Sequence, residues 1–425
     1  MAAAGNLDHD LNPALRSTFA VILAGGRGSR LMNLTDRQAK PAVPFAGKFR
    51  IIDFPLSNSV NSGIRRISVV TQYKAHELIR HVQAGWGFMR AELDEFVELW
   101  PAQQQTDAQT WYLGTANSVY QNFGALRAHA PRYVLILGGD HVYRQDYSKM
   151  LAQHILEEAD VSVACIDVPI ETAGALGVVG ADEQRRIISF VEKPAQPAAI
   201  PGHPARAYAS MGIYLFNADF LYGALERSAQ DQGSAHDFGK DILPDLVNRR
   251  HGKIIAHGFE DSCIFTGLQR EPYWRDVGTL DAYWEANMDL IAVTPSLDLY
   301  DRSWPIWTYQ VQRPPAKFVF DEESRRGMAV DSMVSAGCII SGASLRRCLL
   351  FTDAVAHSYS LVEDSVVLPR SHVGRHARLR KVIVDQDCQI PEGLVVGEDP
   401  EEDARRFHRT AKGVTLVTSE MLARL

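Results

Sequence analysis

The residues of this chain with the strongest claim to chemistry are cations set around a glycine-rich turn. Gly25, Gly26 and Gly28 enclose Arg27, Arg30 follows two positions on, and Lys40 stands ahead of Pro41. Between Arg27 and Arg50 there are six basic residues (Arg27, Arg30, Arg37, Lys40, Lys48, Arg50) against one acidic, Asp36, in a chain of net charge -7. Glycines without side chains let a backbone turn sharply and approach a ligand closely. Successive N–H groups in such a turn form a concavity suited to phosphate oxygens, so the chemistry implied is the binding of a polyphosphate. Asp140 follows two glycines in Leu137-Gly138-Gly139-Asp140-His141, and Asp276 lies in Trp274-Arg275-Asp276-Val277-Gly278-Thr279. A carboxylate facing a polyphosphate is suited to Mg2+, a hard cation that prefers oxygen. Asp140 has the alternative of a cap or turn role, and Asp276 that of capping a helix beginning near Leu280. Lys193 precedes Pro194, which disfavours the helical region for the residue before it, so an extended, aimed lysine is expected.

These residues need a frame to hold them. Phe19-Ala20-Val21-Ile22-Leu23 and Val134-Leu135-Ile136-Leu137 are short apolar runs of the kind buried on both faces of a parallel sheet. Ligands of open α/β sheets bind beyond the carboxyl ends of such strands, where both glycine turns fall. Leu56, Val60 and Ile64 mark one helical stripe, residues 65–71 a second strand, and residue 75 the start of another helix. Residues 85–110 are irregular and rich in Gly, Trp and Gln, and a helix opens within 111–119. Residues 161–168 read as a strand and a hairpin begins near Gly174; at Gly177 a sugar can approach the backbone. Residues 236–244 cap and start a helix, and residues 280–291 form an amphipathic helix that closes the domain. Prolines and tryptophans without a clear period mark residues 294–317 as a linker. Apolar residues then recur near every sixth position, at Val334, Ile340, Leu345, Leu361, Val367, Val373, Leu379, Val384, Ile390 and Val396, with slips over 351–360. That period predicts a hexapeptide parallel β-helix, followed by a charged helix or turn over 401–410 and an edge strand over 414–417.

A Walker loop requires Lys-Ser or Lys-Thr after its glycines, and a dinucleotide fingerprint requires a third glycine where this chain has Leu31. Gly25-Gly26-x-Gly28-x-Arg30-Leu31, followed by Lys40-Pro41, instead resembles the signature of the sugar-1-phosphate nucleotidyltransferases. Arg50-Ile51-Ile52-Asp53-Phe54-Pro55-Leu56-Ser57-Asn58, with Asn61-Ser62-Gly63-Ile64, resembles the glucose-1-phosphate adenylyltransferase branch, and the resemblance runs from about Phe19 to about Leu425. It implies an α/β protein: a tail (1–18), a Rossmann-like, mostly parallel-sheet nucleotidyltransferase domain (19–293) and a linker (294–325). A C-terminal left-handed parallel β-helix of hexapeptide repeats (326–425) then serves oligomerisation and regulation. The reaction implied is transfer of the adenylyl group of ATP to α-D-glucose 1-phosphate, the committed step of bacterial glycogen synthesis. Arg27, Lys40 and Asp140 are then catalytic, and Leu23, Gly25, Gly26, Gly28, Gln72 and Gly114 contact the nucleotide. Tyr112, Gly177, Glu192, Lys193 and Ser210 contact glucose 1-phosphate, a residue within 236–240 also reaches the sugar, and Mg2+ sits on Asp140 and Asp276. The branch is a homotetramer under allosteric control, for which Arg37, Lys48 and Arg50 are cationic candidates. Arg37, Pro44 and Gln386 depart from the enteric pattern of Lys, His and Arg, which favours fructose 6-phosphate or pyruvate over fructose bisphosphate as effector.

Bulk properties exclude other classes. The acidic balance argues against a nucleic-acid partner, and no apolar run approaches the roughly 20 residues that span a bilayer. Five scattered cysteines suit reduced thiols in a cytoplasm. Three rival readings are the same chemistry on another base or sugar, a non-catalytic regulatory subunit, and a β-helix acyltransferase using His357, His372 or His376.

Overall fold

Residues 18–23 form the central strand of a sheet in the computed structural model, which describes residues 11–26, 28–102, 111–265, 271–323 and 325–425. The first half of this domain alternates β1 (Thr18–Leu23), α1 (Asp53–Asn61), β2 (Arg66–Thr71), α2 (His76–Gly85), β3 (Phe96–Pro101), α3 (Thr115–Gln121) and β4 (Tyr133–Gly138). Its four strands pair in parallel in the order β4-β1-β2-β3. β2 is buried throughout and β1 nearly so, which is why both read as continuous apolar runs rather than alternating ones. β3 departs from the irregular segment expected over 85–110. It is the outer strand of the parallel half, half-buried along most of its length, so it lacks an unbroken apolar run. Ile64 lies past the end of α1 rather than on it.

The second half adds β5 (His141–Tyr143), α4 (Tyr147–Leu156), β6 (Val161–Pro169), β7 (Gly177–Ala181), β8 (Ile187–Glu192), β9 (Arg206–Asn217), α5 (Ala218–Gln230), α6 (Leu243–Asn248), β10 (Ile254–Gly258), β11 (Trp274–Asp276) and α7 (Leu280–Asp289). β9 runs antiparallel to β4 and carries both β6 and the β7–β8 hairpin. The carboxyl ends of β1, β2 and β4 therefore open together, releasing the glycine turn, Gln72 and Gly139-Asp140 at one edge. α7 is capped by Thr279, whose hydroxyl accepts from Ala282 N at 3.2 Å. The capping role open to Asp276 is thus filled by another residue.

The proline-rich linker is pinned to α1. Trp304 Nε1 donates to Asn58 Oδ1 at 3.0 Å, Trp307 Nε1 to Asn61 Oδ1 at 3.1 Å, and Trp307 N to Ser57 Oγ at 2.8 Å. Those partners explain how a helix with so many polar residues is buried. Beyond it the chain winds into a three-sided prism of parallel strands, its first rung pairing Lys317–Val319 with Ile339–Ser341. Leu345, Val362, Leu379 and Val396 stack coil over coil, so a turn takes 17 residues and not the 18 of three full hexads. The shortened side moves the count by one. Leu361, expected inside, is exposed, and Val362 fills its place. Each corner takes one residue into left-handed backbone, as at Arg347, Asp364, Arg370 and Asp387. Successive corners pair across coils: Arg347 reaches Asp364 at 2.6 Å and Arg370 reaches Asp387 at 2.6 Å. Thr415–Val417 is not the edge of its sheet, because His408–Arg409 pairs outside it.

Gly397 is the glycine this winding needs most. It has φ +96°, and a Cβ there would lie 1.9 Å from Arg380 O. Gly397→Ala is expected to cost about 3 kcal/mol and to lower the melting temperature of the prism by several degrees. Calorimetry showing an unshifted transition would mean the coil relaxes freely at that point.

One apolar cluster spans both domains, with Leu31, Phe45, Phe54 and Tyr283 packed with Leu349, Phe351, Ile383 and Leu416. All five cysteines are buried and free. Among the described residues no helix is long and apolar enough to cross a membrane.

Candidate active site

Lys40, Asp140 and Asp276 converge at the open edge of the sheet. Asp140 follows β4 through Gly139, whose N–H donates to Leu23 O at 3.0 Å and ties the turn to β1. Asp276 comes from far along the sequence. It ends the two-stranded ribbon β5–β11, whose register sets Asp276 opposite His141 and so beside Asp140. Lys40 opens a short 3-10 turn with Pro41 in its first positions. Its ammonium donates to Asp140 Oδ2 at 2.9 Å and to Asp276 Oδ1 at 2.7 Å, while its side chain is only 5% exposed.

These contacts set the charges. Burial alone would raise Asp140, but His141 and Lys40 hold its carboxyl well below the usual range. Asp276 is likewise lowered, because Lys40 and His141 outweigh its burial and the charge of Asp140. Burial opposes protonation of Lys40, yet the two carboxylates raise it above the ordinary value. Around neutral pH the cluster is therefore an ammonium between two carboxylates. Two further groups border it. His141 Nε2 lies 3.5 Å from Asp140 Oδ1 with its ring against Trp274, and Arg30 Nη2 donates to Asp276 Oδ2 at 3.4 Å. Donor atoms of Asp140, His141 and Asp276 lie within 4.8 Å of one another. Two carboxylates that close, already holding one cation, are a donor set that fits a hard divalent ion.

From this cluster a cavity of about 440 Å3 runs along the sheet edge. Leu23, Gly25, Gly26, Gln72, Tyr112, Gly114, Asp140 and Glu192 line it, all named from the sequence. Gly28 does not line it. It has φ +64°, and a Cβ there would lie 2.7 Å from Lys40 Cβ, so this glycine serves the fit of Lys40. Gly114 packs on the backbone of Ala235 and His236, each carbonyl oxygen 2.4 Å from where its Cβ would be. Gln72 Nε2 donates to Tyr112 O at 3.5 Å, and the Tyr112 hydroxyl accepts from Asn122 Nδ2 at 2.9 Å. Arg27 lies outside the described residues.

The far wall contains residues that sequence reasoning names only as a range or misses. Asp237, Phe238 and Gly239 line the cavity. Asp237 does cap its turn, with Oδ1 accepting from Gly239 N at 2.9 Å and Lys240 N at 3.1 Å. Its other oxygen accepts from Thr115 Oγ1 at 2.9 Å, joining this wall to α3. Tyr214 rather than Ser210 faces the cavity. Ser210 stands behind it, its hydroxyl donating to Tyr214 Oη at 3.5 Å and accepting from Gly212 N at 3.3 Å. Gly177 pairs with Glu192, whose Oε2 would lie 2.9 Å from a Cβ at that glycine. Lys193 is not among the lining residues; it is exposed and 3.4 Å from Glu192 Oε1. Its backbone is left-handed, φ 49°, and not the extended geometry that Pro194 implies. The reason is tertiary: Lys193 N donates to Leu176 O at 3.0 Å, which fixes the residue at the hairpin exit.

The three cationic effector candidates separate. Arg37 pairs with Glu420 at 3.3 Å. Lys48 and Arg50 line a second cavity of about 530 Å3 between the domains, with Arg80, Arg313 and Arg370 around it. Arg50 is already engaged, because its Nη1 donates to Ala42 O and, at 3.2 Å, to Gln38 Oε1. It thereby braces the turn that carries Lys40.

Comparison with known proteins agrees with this geometry. Residues 19–293 match the family described as nucleotidyl transferase, and residues 314–417 match the GlmU-like C-terminal hexapeptide family. The chain is 63% identical over 416 residues to a glucose-1-phosphate adenylyltransferase of Rhodospirillum rubrum, covering 98% of each chain. It is 61% identical to the protein of that name from Paramagnetospirillum magneticum, over 98% of this chain and 96% of the other. Identity is also 61% with that from Dechloromonas aromatica, over 96% of this chain and 92% of the relative.

Proposed function

The chain belongs to the nucleotidyl transferase family, in its glucose-1-phosphate adenylyltransferase branch, and from that premise we propose that it transfers the adenylyl group of ATP to α-D-glucose 1-phosphate. The observation that carries the reading is the Lys40–Asp140–Asp276 cluster at the mouth of a glycine-lined cavity. A phosphate oxygen of glucose 1-phosphate attacks the α-phosphorus of ATP. The new P–O bond forms as the bond to the β-phosphate oxygen breaks, and pyrophosphate leaves with that electron pair. The attacking oxygen is already anionic, so no side chain has to remove a proton. The protein's share is positioning and charge neutralisation.

The turn at Gly25 and Gly26 receives the triphosphate, and Gln72 and Gly114 flank the nucleotide. Tyr112, Glu192 and the 237–239 wall bound the sugar, with Ser210 bracing Tyr214 and Gly177 making room for Glu192. Lys193, exposed on a flexible stem, reaches the sugar phosphate. Arg27 neutralises charge on the departing pyrophosphate, and Lys40 steadies the phosphates from the other side. Asp140 and Asp276 would hold Mg2+, which when bound shields the mutual repulsion of the phosphates. We assign the cationic cavity between the domains to a small anionic effector, with fructose 6-phosphate or pyruvate as candidates and Lys48 among its contacts. The prism is assigned to assembly of a homotetramer. In the cell this reaction would be the committed step of glycogen synthesis in the cytoplasm.

The test is pyrophosphate release from glucose 1-phosphate and Mg2+ with ATP, UTP, dTTP, GTP or CTP in turn, with and without each metabolite. Release is expected with ATP and to rise with one of the two metabolites. A preference for UTP or dTTP would retain the mechanism and overturn the substrate and pathway. Silence with every nucleotide would overturn the enzyme and favour a regulatory subunit.

A further inference from the structure

We propose that Lys40 is an exchangeable counter-ion, its ammonium holding the cation position between Asp140 and Asp276 until a metal–nucleotide complex displaces it onto the phosphates. The proposal rests on the reading of those carboxylates as the Mg2+ ligands.

The distances make the two cations competitors for the same pair of oxygens. Lys40 Nζ lies 2.9 Å from Asp140 Oδ2 and 2.7 Å from Asp276 Oδ1. Magnesium bonds oxygen at about 2.0–2.1 Å, so an ion on Asp140 Oδ2 and Asp276 Oδ1 would share space with the ammonium those two oxygens already hold. The donor atoms of Asp140, His141 and Asp276 all lie within 4.8 Å of one another, so the ammonium sits inside the donor set that a metal would use. Charge points the same way. Two carboxylates side by side repel, and in the nucleotide-free chain the buried Lys40 offsets part of that charge, with the exposed Arg30 3.4 Å from Asp276 Oδ2 at the rim. A divalent ion offsets all of it and leaves the lysine surplus beside an incoming polyanion.

The backbone allows this exchange without a loop motion. Val43 N donates to Lys40 O at 3.0 Å and Ile52 N to Pro41 O at 3.0 Å, which fixes the turn. Gly28 closes against Lys40 Cβ, so only the outer part of the four-carbon stem is left to swing. The cavity lined by Gly25 and Gly26 adjoins Asp140 and gives the ammonium a destination once phosphate oxygens are there. Two consequences follow: metal alone binds weakly, and metal and nucleotide load together.

The experiment is Mn2+ alone, titrated into nucleotide-free chain and read as loss of the free-ion electron paramagnetic resonance signal. Lys40→Met is expected to bind Mn2+ at least 10-fold more tightly than the parent, and Asp140→Asn in the Lys40→Met background to lose that gain. Lys40→Gln, which keeps a hydrogen-bond donor without the charge, carries the same expectation if the methionine variant does not fold. Affinity in folded Lys40→Met or Lys40→Gln no higher than in the parent would overturn the exchange. A gain that survives Asp140→Asn and Asp276→Asn would instead overturn the carboxylate pair as the metal site, and with it the exchange.

Discussion

Asp140→Asn is expected to lower kcat by roughly 100-fold or more, with the melting temperature nearly that of the parent. A preorganised charge opposite the reacting phosphates is worth about 3 kcal/mol in the transition state, and a 100-fold loss corresponds to about 2.7 kcal/mol. Asparagine keeps the volume of the side chain and removes only the charge. The fold should tolerate it, because Lys40 retains Asp276 at 2.7 Å and so is not left as an unpaired buried cation. The effect belongs in kcat, since the cavity proposed for the nucleotide is lined by ten residues or more besides this one. A change of pH would not substitute for the mutation. Asp140 and Asp276 are held below the usual carboxylate range and Lys40 above its ordinary value, so the cluster keeps its charges across the neutral range. Steady-state kinetics with ATP and glucose 1-phosphate, beside a thermal melt, read both halves of the expectation. Turnover within a few-fold of the parent would remove Asp140 from the mechanism.

The parts of this site that could be read from the sequence are those whose geometry is local. A buried strand followed by two glycines and an acid is a strand, a turn and an exposed carboxylate wherever it occurs, which is why Asp140 was legible. The ligand-facing role of Gly25 and Gly26 follows from the end of a buried parallel strand, and that of Gln72 from the family resemblance. What could not be read depends on partners distant in the chain. The family resemblance pairs Asp276 with Asp140, but the ribbon of two three-residue strands that brings them together is too short for any periodic pattern. Pro194 implies an extended backbone at Lys193, but the carbonyl of Leu176 across the hairpin decides its conformation. Tyr214 carries no signal as a site residue, since an alternating strand accounts for it completely, and Asp237 stands only within the range 236–240 that the resemblance implies, since a helix cap accounts for it as well. In the prism, hexads gave the architecture and failed at Leu361, because a 17-residue coil cannot hold a six-residue count. Local motifs thus named most of the cavity, and sheet register supplied the rest.

Gly28→Ala is expected to lower kcat by roughly 30-fold or more, equivalent to about 2 kcal/mol, and to lower the melting temperature as well. The new methyl group meets two obstacles. Gly28 has φ +64°, a conformation that an alanine adopts only with strain, and its Cβ would lie 2.7 Å from Lys40 Cβ and 3.2 Å from Thr35 Cγ2. Lys40 has little freedom to retreat, since Arg50 braces its turn through Ala42 O and Gln38 Oε1. The glycine turn must move instead, or the ammonium must leave its place between the carboxylates. Either displacement falls on the transition state, because misplacing a charge by about 1 Å costs on the order of 100-fold. Gly26→Ala separates this effect from simple obstruction of the nucleotide. Nothing lies within 4 Å of a Cβ at Gly26, and that residue lines the cavity. It should therefore melt like the parent and raise KM for ATP, where Gly28→Ala lowers kcat. Equal KM effects in the two variants, with kcat preserved in both, would return Gly28 to the role of an ordinary nucleotide-contact glycine. A loss of kcat confined to Gly28→Ala would identify the glycine whose absent side chain holds Lys40 in register with Asp140 and Asp276.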